Sequence, residues 1–533
     1  MGVVGMALDV VKQAVGDLWL VELSGRLDAV EAPELELALS DIPAGIKEIE
    51  LDFSDVDYIA SAGLRSLLMV KKTAAKQDIK IIIKNPQQEI MDVFDVTCFT
   101  NFFEIVQANQ VGEITGPTDG FYPLRPIQRW LVDTHFRKAN STMMNIGALL
   151  KLDEAVDLER LAEAVNEVLE MYDIFRCRLV FHPDTGEVCQ RFDGSVSKVR
   201  VEILSEMAFE ERKRELEKPF KLIDRPLYRI YLMLTPSGKY IYGDFYHAIM
   251  DGTAVILLFW REVNKHYMRK TAKRQPASYA EYVWEEAQEL QSGQEEGHRY
   301  WQEMLAGFDP QKHLPPTDVS REDSWHEGAV DCDLNNINHK FFADRPYSEN
   351  TFFIAAAMAA MAKVTGNKEV IMSWVHNART SIKEMRLMGL LLNQYPLKWD
   401  FGQDMSITQF LTALEEKINK GITYAKGLDM VYKDDLEGEC ASFILQKDTD
   451  IKASYILGGL PCQVEEMPPN KRSAAENVLD IAVTVLDDGH YSLRLAYDAS
   501  RYSEEAMHRY AAAYDEMLSA MQADERKLAE ILP

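Results

Sequence analysis

Residues 228–260 constrain the fold of this chain more than any other stretch. Two strand-like runs, YRIYLML at 228–234 and YIYGDFYH at 240–247, flank Thr235-Pro236-Ser237-Gly238-Lys239, a turn-rich pentapeptide suited to a hairpin. Period-two alternation sets Ile241, Gly243, Phe245 and His247 on one face and Tyr240, Tyr242, Asp244 and Tyr246 on the other. Beyond Gly252, Thr253–Trp260 is apolar nearly all round, the pattern of a helix buried in the middle of a domain, and Asp251 or Thr253 can cap it. His247 therefore ends a strand on an apolar face, with an acid four residues on. Such a histidine is either a satisfied core residue or a group that moves protons, since a free imidazole has a pKa of about 6.5.

Phe245-Tyr246-His247-Ala248-Ile249-Met250-Asp251-Gly252 resembles the His-His-x-x-x-Asp-Gly signature of condensation domains of nonribosomal peptide synthetases, in the chloramphenicol acetyltransferase-like superfamily. Tyr246 replaces the first histidine. Further matches follow in order: Tyr122-Pro123-Leu124-Arg125-Pro126-Ile127-Gln128 resembles the opening segment, Met144-Asn145-Ile146 an early strand, and Asp173-Ile174-Phe175-Arg176 the arginine segment. Asp224-Arg225-Pro226-Leu227, Tyr300-Trp301, Val375–Arg379, Met388–Leu397 and Tyr497-Asp498 continue the series, so the resemblance spans about residues 118–533. The segment at 171–178 lacks the family's leading Arg-His, and Gln394 stands where the family has threonine.

The resemblance implies a two-lobed, V-shaped α/β acyltransferase that forms an amide or ester from a thioester-bound acyl donor and an amine or alcohol. Such chemistry needs the acceptor held in line and its proton removed. His247 is the catalytic candidate, as positioner of the acceptor and as base. Asp251, a carboxylate at the mouth of a buried helix, needs a partner, and the resemblance implies an ion pair with Arg379. Gly252 would let backbone approach the reacting carbonyl. Asn393 matches a residue lining the family's channel, and Tyr246 would support the fold. No bound cofactor or metal is expected. The substrates implied are phosphopantetheine thioesters on carrier proteins acting in trans, or acyl-coenzyme A. The other reading is a non-catalytic regulatory or scaffold protein whose transferase-like part is a binding platform.

The first 110 residues form a separate unit. Residues 18–23, 49–53 and 79–84 read as strands, 30–40 and 62–75 as helices, and 86–94 as a helix with Pro86 in its first turn. Leu23-Ser24-Gly25-Arg26-Leu27-Asp28 and Asp52–Leu64 resemble the STAS domain of anti-sigma factor antagonists, which implies a small α/β domain that binds a kinase or anti-sigma factor. Ser61 matches that family's phosphorylated serine, with Ala60 and Ala62 replacing its neighbours. A phosphate there would meet free helix N–H groups; alternatively Ser61 is an unmodified N-cap.

The 533 residues suggest three to four packing units, divided as a STAS-like domain (1–110), a linker (111–120), an N-lobe (121–295) and a C-lobe (296–533). The polar stretch 289–298 marks the lobe crossover. In the C-lobe, 351–363 reads as a buried helix, 370–375 as a strand, and 479–486 with 491–497 as a hairpin. No apolar run reaches membrane-spanning length, and the N-terminus lacks the basic leader of a signal peptide. Scattered cysteines without a Cys-x-x-Cys pair fit a cytoplasmic protein without structural zinc. A net charge of −27 argues against nucleic acid. It also leaves an acidic carrier protein only local basic patches, of which Arg212-Lys213-Arg214 is the nearest candidate.

Overall fold

The computed structural model describes residues 8–43, 45–97, 99–106, 116–138, 141–269, 276–291, 295–306, 309, 312–319, 327–342, 345–430, 440–447, 456–467, 477–523 and 526–532. Cys98 and the first half of the linker, 111–115, lie outside them. Period-two strands organise three apolar cores.

In the STAS-like unit, β1 (Asp9–Val15), β2 (Leu18–Leu27), β3 (Glu48–Ile59), β4 (Lys80–Lys84) and β5 (Glu104–Val106) form one sheet in chain order. β1 is antiparallel to β2, and the remaining pairs are parallel. Trp19, Val21 and Leu23 on β2 join Leu51, Phe53 and Ile83 in the first core. Helices Ala32–Ala38, Ser61–Ala75 and Gln88–Val96 connect the strands. Two details correct the sequence reading. Ser61 is the first helical residue, and Ala60, whose side chain cannot cap, precedes it. Pro86 lies outside the third helix, where Gln87 is the N-cap.

The N-lobe sheet runs β18-β6-β11-β10-β9. Its members are β6 (Asn145–Leu152), β9 (Val201–Ile203), β10 (Tyr228–Thr235), β11 (Gly238–Tyr246) and β18 (Gln463–Val464). The expected hairpin is β10–β11, turned through Pro236-Ser237. Ile241 and Phe245 enter the N-lobe core, whereas Tyr240 and Tyr242 pack with Phe209 and Leu216 of helix Glu206–Leu216. The C-lobe sheet runs β12-β20-β19-β15-β13-β14: Glu327–Leu334, Tyr491–Asp498, Leu479–Val485, Ala441–Lys447, Glu369–His376 and Asn393–Asp400. Helix Glu349–Thr365 is buried along its middle, as its alanine-rich sequence requires.

Chain order and lobe membership part company twice. Leu387, Met388, Leu390 and Leu391, between β13 and β14, belong to the N-lobe core, and β18 adds an edge strand to the N-lobe sheet. At 289–298 the chain is helical on either side of 292–294, ending Tyr279–Gln291 and beginning Glu295–Leu305.

Candidate active site

The turn after β11 is held by segments that the sequence scattered over a hundred residues. Tyr246 N–H donates to the Leu227 carbonyl (2.9 Å) and His247 N–H to the Met144 carbonyl (2.8 Å). Fully buried Gln128 donates through Nε2 to the Ala248 carbonyl (2.7 Å) and to Gln190 Oε1 (3.2 Å). His247 is half-buried, and among the described residues its enclosed Nδ1 has no hydrogen-bond partner. Tyr246 is wholly buried: its ring meets His135 edge-on at 5.4 Å, and its hydroxyl reaches the Leu131 carbonyl at 3.4 Å.

Four residues on, Asp251 gathers charge and backbone from both lobes. Its Oδ1 accepts from Ala254 N–H (2.7 Å) and its Oδ2 from the amides of Leu391 (2.7 Å) and Leu392 (3.1 Å). Arg379 closes a two-pronged pair, Nη1 to Oδ2 at 2.9 Å and Nη2 to Oδ1 at 3.1 Å, both side chains being 1% exposed. Burial pushes the Asp251 carboxyl up, but the Arg379 guanidinium and the backbone amides outweigh it and hold the group below the ordinary carboxylate range. Asp251, not Thr253, therefore caps the following helix, which runs as a π-helical stretch Ala254–Phe259 before Trp260–Tyr267. π-Helical turns concentrate at functional sites.

The 387–392 segment is fixed from several directions. Arg379 Nη2 also donates to the Gly389 carbonyl (3.2 Å), while Arg125 Nη1 (2.6 Å) and the Tyr279 hydroxyl (2.9 Å) share the Leu390 carbonyl. Arg125 is itself buried and paired with Glu286 at 2.6 Å. Gly389 is required here, because a Cβ would stand 2.2 Å from the Tyr279 ring. At Gly252 a Cβ would meet nothing within 4 Å, so no neighbouring group among the described residues demands glycine there. The backbone before Arg379 is strained: Ala378 has φ +51°, a left-handed conformation costing an L-residue about 1–2 kcal/mol.

The structure thus gathers His247, Asp251, Gly252 and Arg379 around one turn. Asn393 begins β14 opposite His376 and bonds the Tyr395 hydroxyl (3.2 Å). Ser61 stands exposed in the STAS-like unit. Arg125 and Gln128 had a sequence signal, their place in the opening segment, but nothing there told their role. The basic run at 212–214 is largely spent internally, with Arg212 on Glu202 (3.1 Å) and nearly buried Lys213 on Glu465 (3.2 Å). Among the described residues no cluster of ligating side chains suits a metal, and no helix is long and apolar enough to cross a membrane.

The profile described as "Condensation domain" matches residues 118–530. The chain belongs to the condensation-domain family. A STAS domain profile matches residues 9–111 ahead of the condensation domain. Surfactin synthase subunit 1 of Bacillus subtilis (strain 168) is 23% identical over 501 residues, covering 88% of this chain and 13% of the synthase. Surfactin synthase subunit 2 of the same organism is 21% identical over 401 residues, covering 72% and 11%. The chain therefore spans only about a tenth of these relatives. Among solved structures, the condensation domain of a monacolin K polyketide synthase superposes with a TM-score of 0.64 at 17% identity, over 76% of this chain and 99% of that one. The starter condensation domain of a rhizomide synthetase, as a double mutant complexed with C8-CoA and Leu-SNAC, gives 0.59 at 16% identity, over 77% and 96%. These likenesses establish the condensation-domain fold.

Proposed function

We propose that the condensation domain transfers an acyl group from a thioester to an amine or alcohol, with His247 as the catalytic residue. The acceptor attacks the carbonyl carbon, the C–S bond breaks, and His247 positions the acceptor, takes its proton and passes it to the departing thiolate, which leaves as the thiol. The observation that carries this reading is the turn itself. A half-buried imidazole whose enclosed Nδ1 has no hydrogen-bond partner among the described residues shares a turn with a glycine facing open space, and the Asp251–Arg379 pair pins that turn between the lobes. Asp251, Arg379, Gln128 and Tyr246 act as framework.

Thioesters of phosphopantetheine on carrier proteins, or of coenzyme A, are the donors that family membership favours, and the cytoplasm is the compartment where both are made available. The test is acyl transfer to an amine or alcohol from loaded carrier proteins or acyl-coenzyme A, comparing the parent with His247→Ala. Loss of a general base lowers the rate by about 10²–10⁴-fold. Equal product from both proteins, or none from either, would sink the reading and leave a binding platform.

The STAS domain's finer role is a partner site for a kinase or anti-sigma factor around Ser61. This residue is exposed at a helix start without a side-chain cap, where a phosphate meets free N–H groups. Intact mass after incubation with cell extract should show an added phosphate that Ser61→Ala lacks; an unchanged mass rejects modification.

A further inference from the structure

Between β13 and β14 the chain leaves the C-lobe sheet, turns through Asn377-Ala378-Arg379, forms the short helix Ile382–Met385 and crosses the N-lobe as 387–392. One side of this excursion meets the N-lobe through Asp251, Arg125 and Tyr279. The other side meets the STAS domain. The β1–β2 register sets Val11 opposite Glu22, Gln13 opposite Leu20 and Val15 opposite Leu18, which puts all six on one face of the sheet. This face points away from the STAS core. Leu20, with Val11, Val15 and Leu18, packs on Ile382 and Met385. Beside that cluster the Arg386 guanidinium lies 2.9 Å from Glu22, 2.6 Å from Asp52 and 3.6 Å from Asp55. Arg386, Glu22 and Asp52 are at most 8% exposed, and Asp55 is 13% exposed. Buried charges of this kind hold a register, because any other alignment strands them.

Gln13 reaches the strained turn directly. Its Nε2 donates to the Arg379 carbonyl at 2.6 Å and to Asn377 Oδ1 at 3.1 Å, and Asn377 Oδ1 also accepts from Arg379 N–H at 3.2 Å. A side chain from the STAS domain therefore holds the backbone of the residue whose guanidinium pairs with Asp251, four positions from His247.

We propose that the STAS domain is built into the transferase site, with Gln13 as a positioning residue that holds the Asn377–Arg379 turn so that Arg379 meets Asp251. Arg386, gripped by Glu22, Asp52 and Asp55, fixes the docking register that brings Gln13 there. The docking claim stands on the geometry, and its catalytic consequence rests on the acyl-transfer reading above.

The experiment uses the full chain with Gln13→Ala, Gln13→Glu and Gln13→Lys. Lysine restores a donor toward the two oxygens, whereas glutamate offers only acceptors. Hydrogen exchange read at the amides of Arg379, Leu391 and Leu392 should quicken roughly tenfold in the Ala and Glu variants, the scale of one lost hydrogen bond of about 1.4 kcal/mol. It should return toward the parent value in the Lys variant while the thermal midpoint stays put. In acyl transfer, kcat should fall in the Ala and Glu variants with KM held, and recover with Lys. Unchanged exchange in Gln13→Ala overturns the positioning role whether or not the parent makes product. Faster exchange with unchanged kcat in an active parent overturns the catalytic consequence. Absence of product from the parent falls on the acyl-transfer reading, and the exchange result then decides the docking claim by itself.

Discussion

Asp251 concentrates the energetics of the site. Five hydrogen bonds converge on its carboxylate, two from one guanidinium, and neither charged partner has access to water. Replacing both members by apolar residues of matching shape need not destabilise, but removing one leaves an uncompensated buried charge. Arg379→Leu should therefore cost about 3–5 kcal/mol in urea unfolding at pH 7. Asp251 adds a pH dependence of definite sign. Its folded pKa is depressed below 3.8, so its contribution is present above that value and is lost as pH falls beneath it. Asp251→Asn should be much less stable than the parent at pH 7, with the gap narrowing below about pH 3.8. A constant gap from pH 7 to pH 3 would show that the ionised carboxylate is not what stabilises the turn.

At the scale of elements, the β10–β11 hairpin, the helix Glu349–Thr365 and the β19–β20 hairpin were legible because their signals are local: alternation, turn residues and unbroken apolar runs. β1 was not legible. Its sequence, DVVKQAV, alternates poorly because polar Gln13 shares a face with Val11 and Val15, and only docking against another domain gives a polar residue a use there. The 387–392 segment shows the same limit. Its leucines announce burial without saying that the N-lobe would bury them. Gly389 marks how tight that crossing is: Gly389→Ala forces a methyl into the Tyr279 ring, and overpacking of this kind costs about 1–3 kcal/mol. A melting temperature unchanged by Gly389→Ala would mean that the ring and segment separate easily. The Tyr279→Leu background should relieve the clash.

At the scale of the whole molecule, Arg386 joins the STAS domain to the condensation domain beside three carboxylates, Glu22, Asp52 and Asp55. Burial raises the Asp55 pKa; Arg386 opposes that, and Glu22 and Asp52 add to it. A group whose folded pKa is raised stabilises fully below its unfolded value and loses that contribution as pH rises through the folded one. At pH 7 ionised Asp55 is thus a net cost to the folded chain. Asp55→Asn should raise the thermal midpoint of the full chain at pH 7, with the gain vanishing below about pH 3.8, and a lowered midpoint at pH 7 would show that Arg386 needs all three carboxylates. Lys265 of the N-lobe also acts on Asp55, so the acidic cluster faces more than the excursion between β13 and β14.

What the sequence determined was local or ordered. It held the strand and helix patterns of each unit, the succession of a STAS domain and a condensation domain, and a histidine turn whose flanking motifs, at Gln128, Met144 and Leu227, prove to be the groups that grip it. The tertiary structure decided which distant groups meet. Asp251 could be assigned Arg379 through resemblance, but Gln13 and Arg386 carry no mark in the chain, because a glutamine on a strand and an arginine after a short helix are ordinary surface residues until another domain covers them. Burying a charge is tolerable only beside its complement, and that complement lies more than three hundred residues away, beyond the reach of any periodicity.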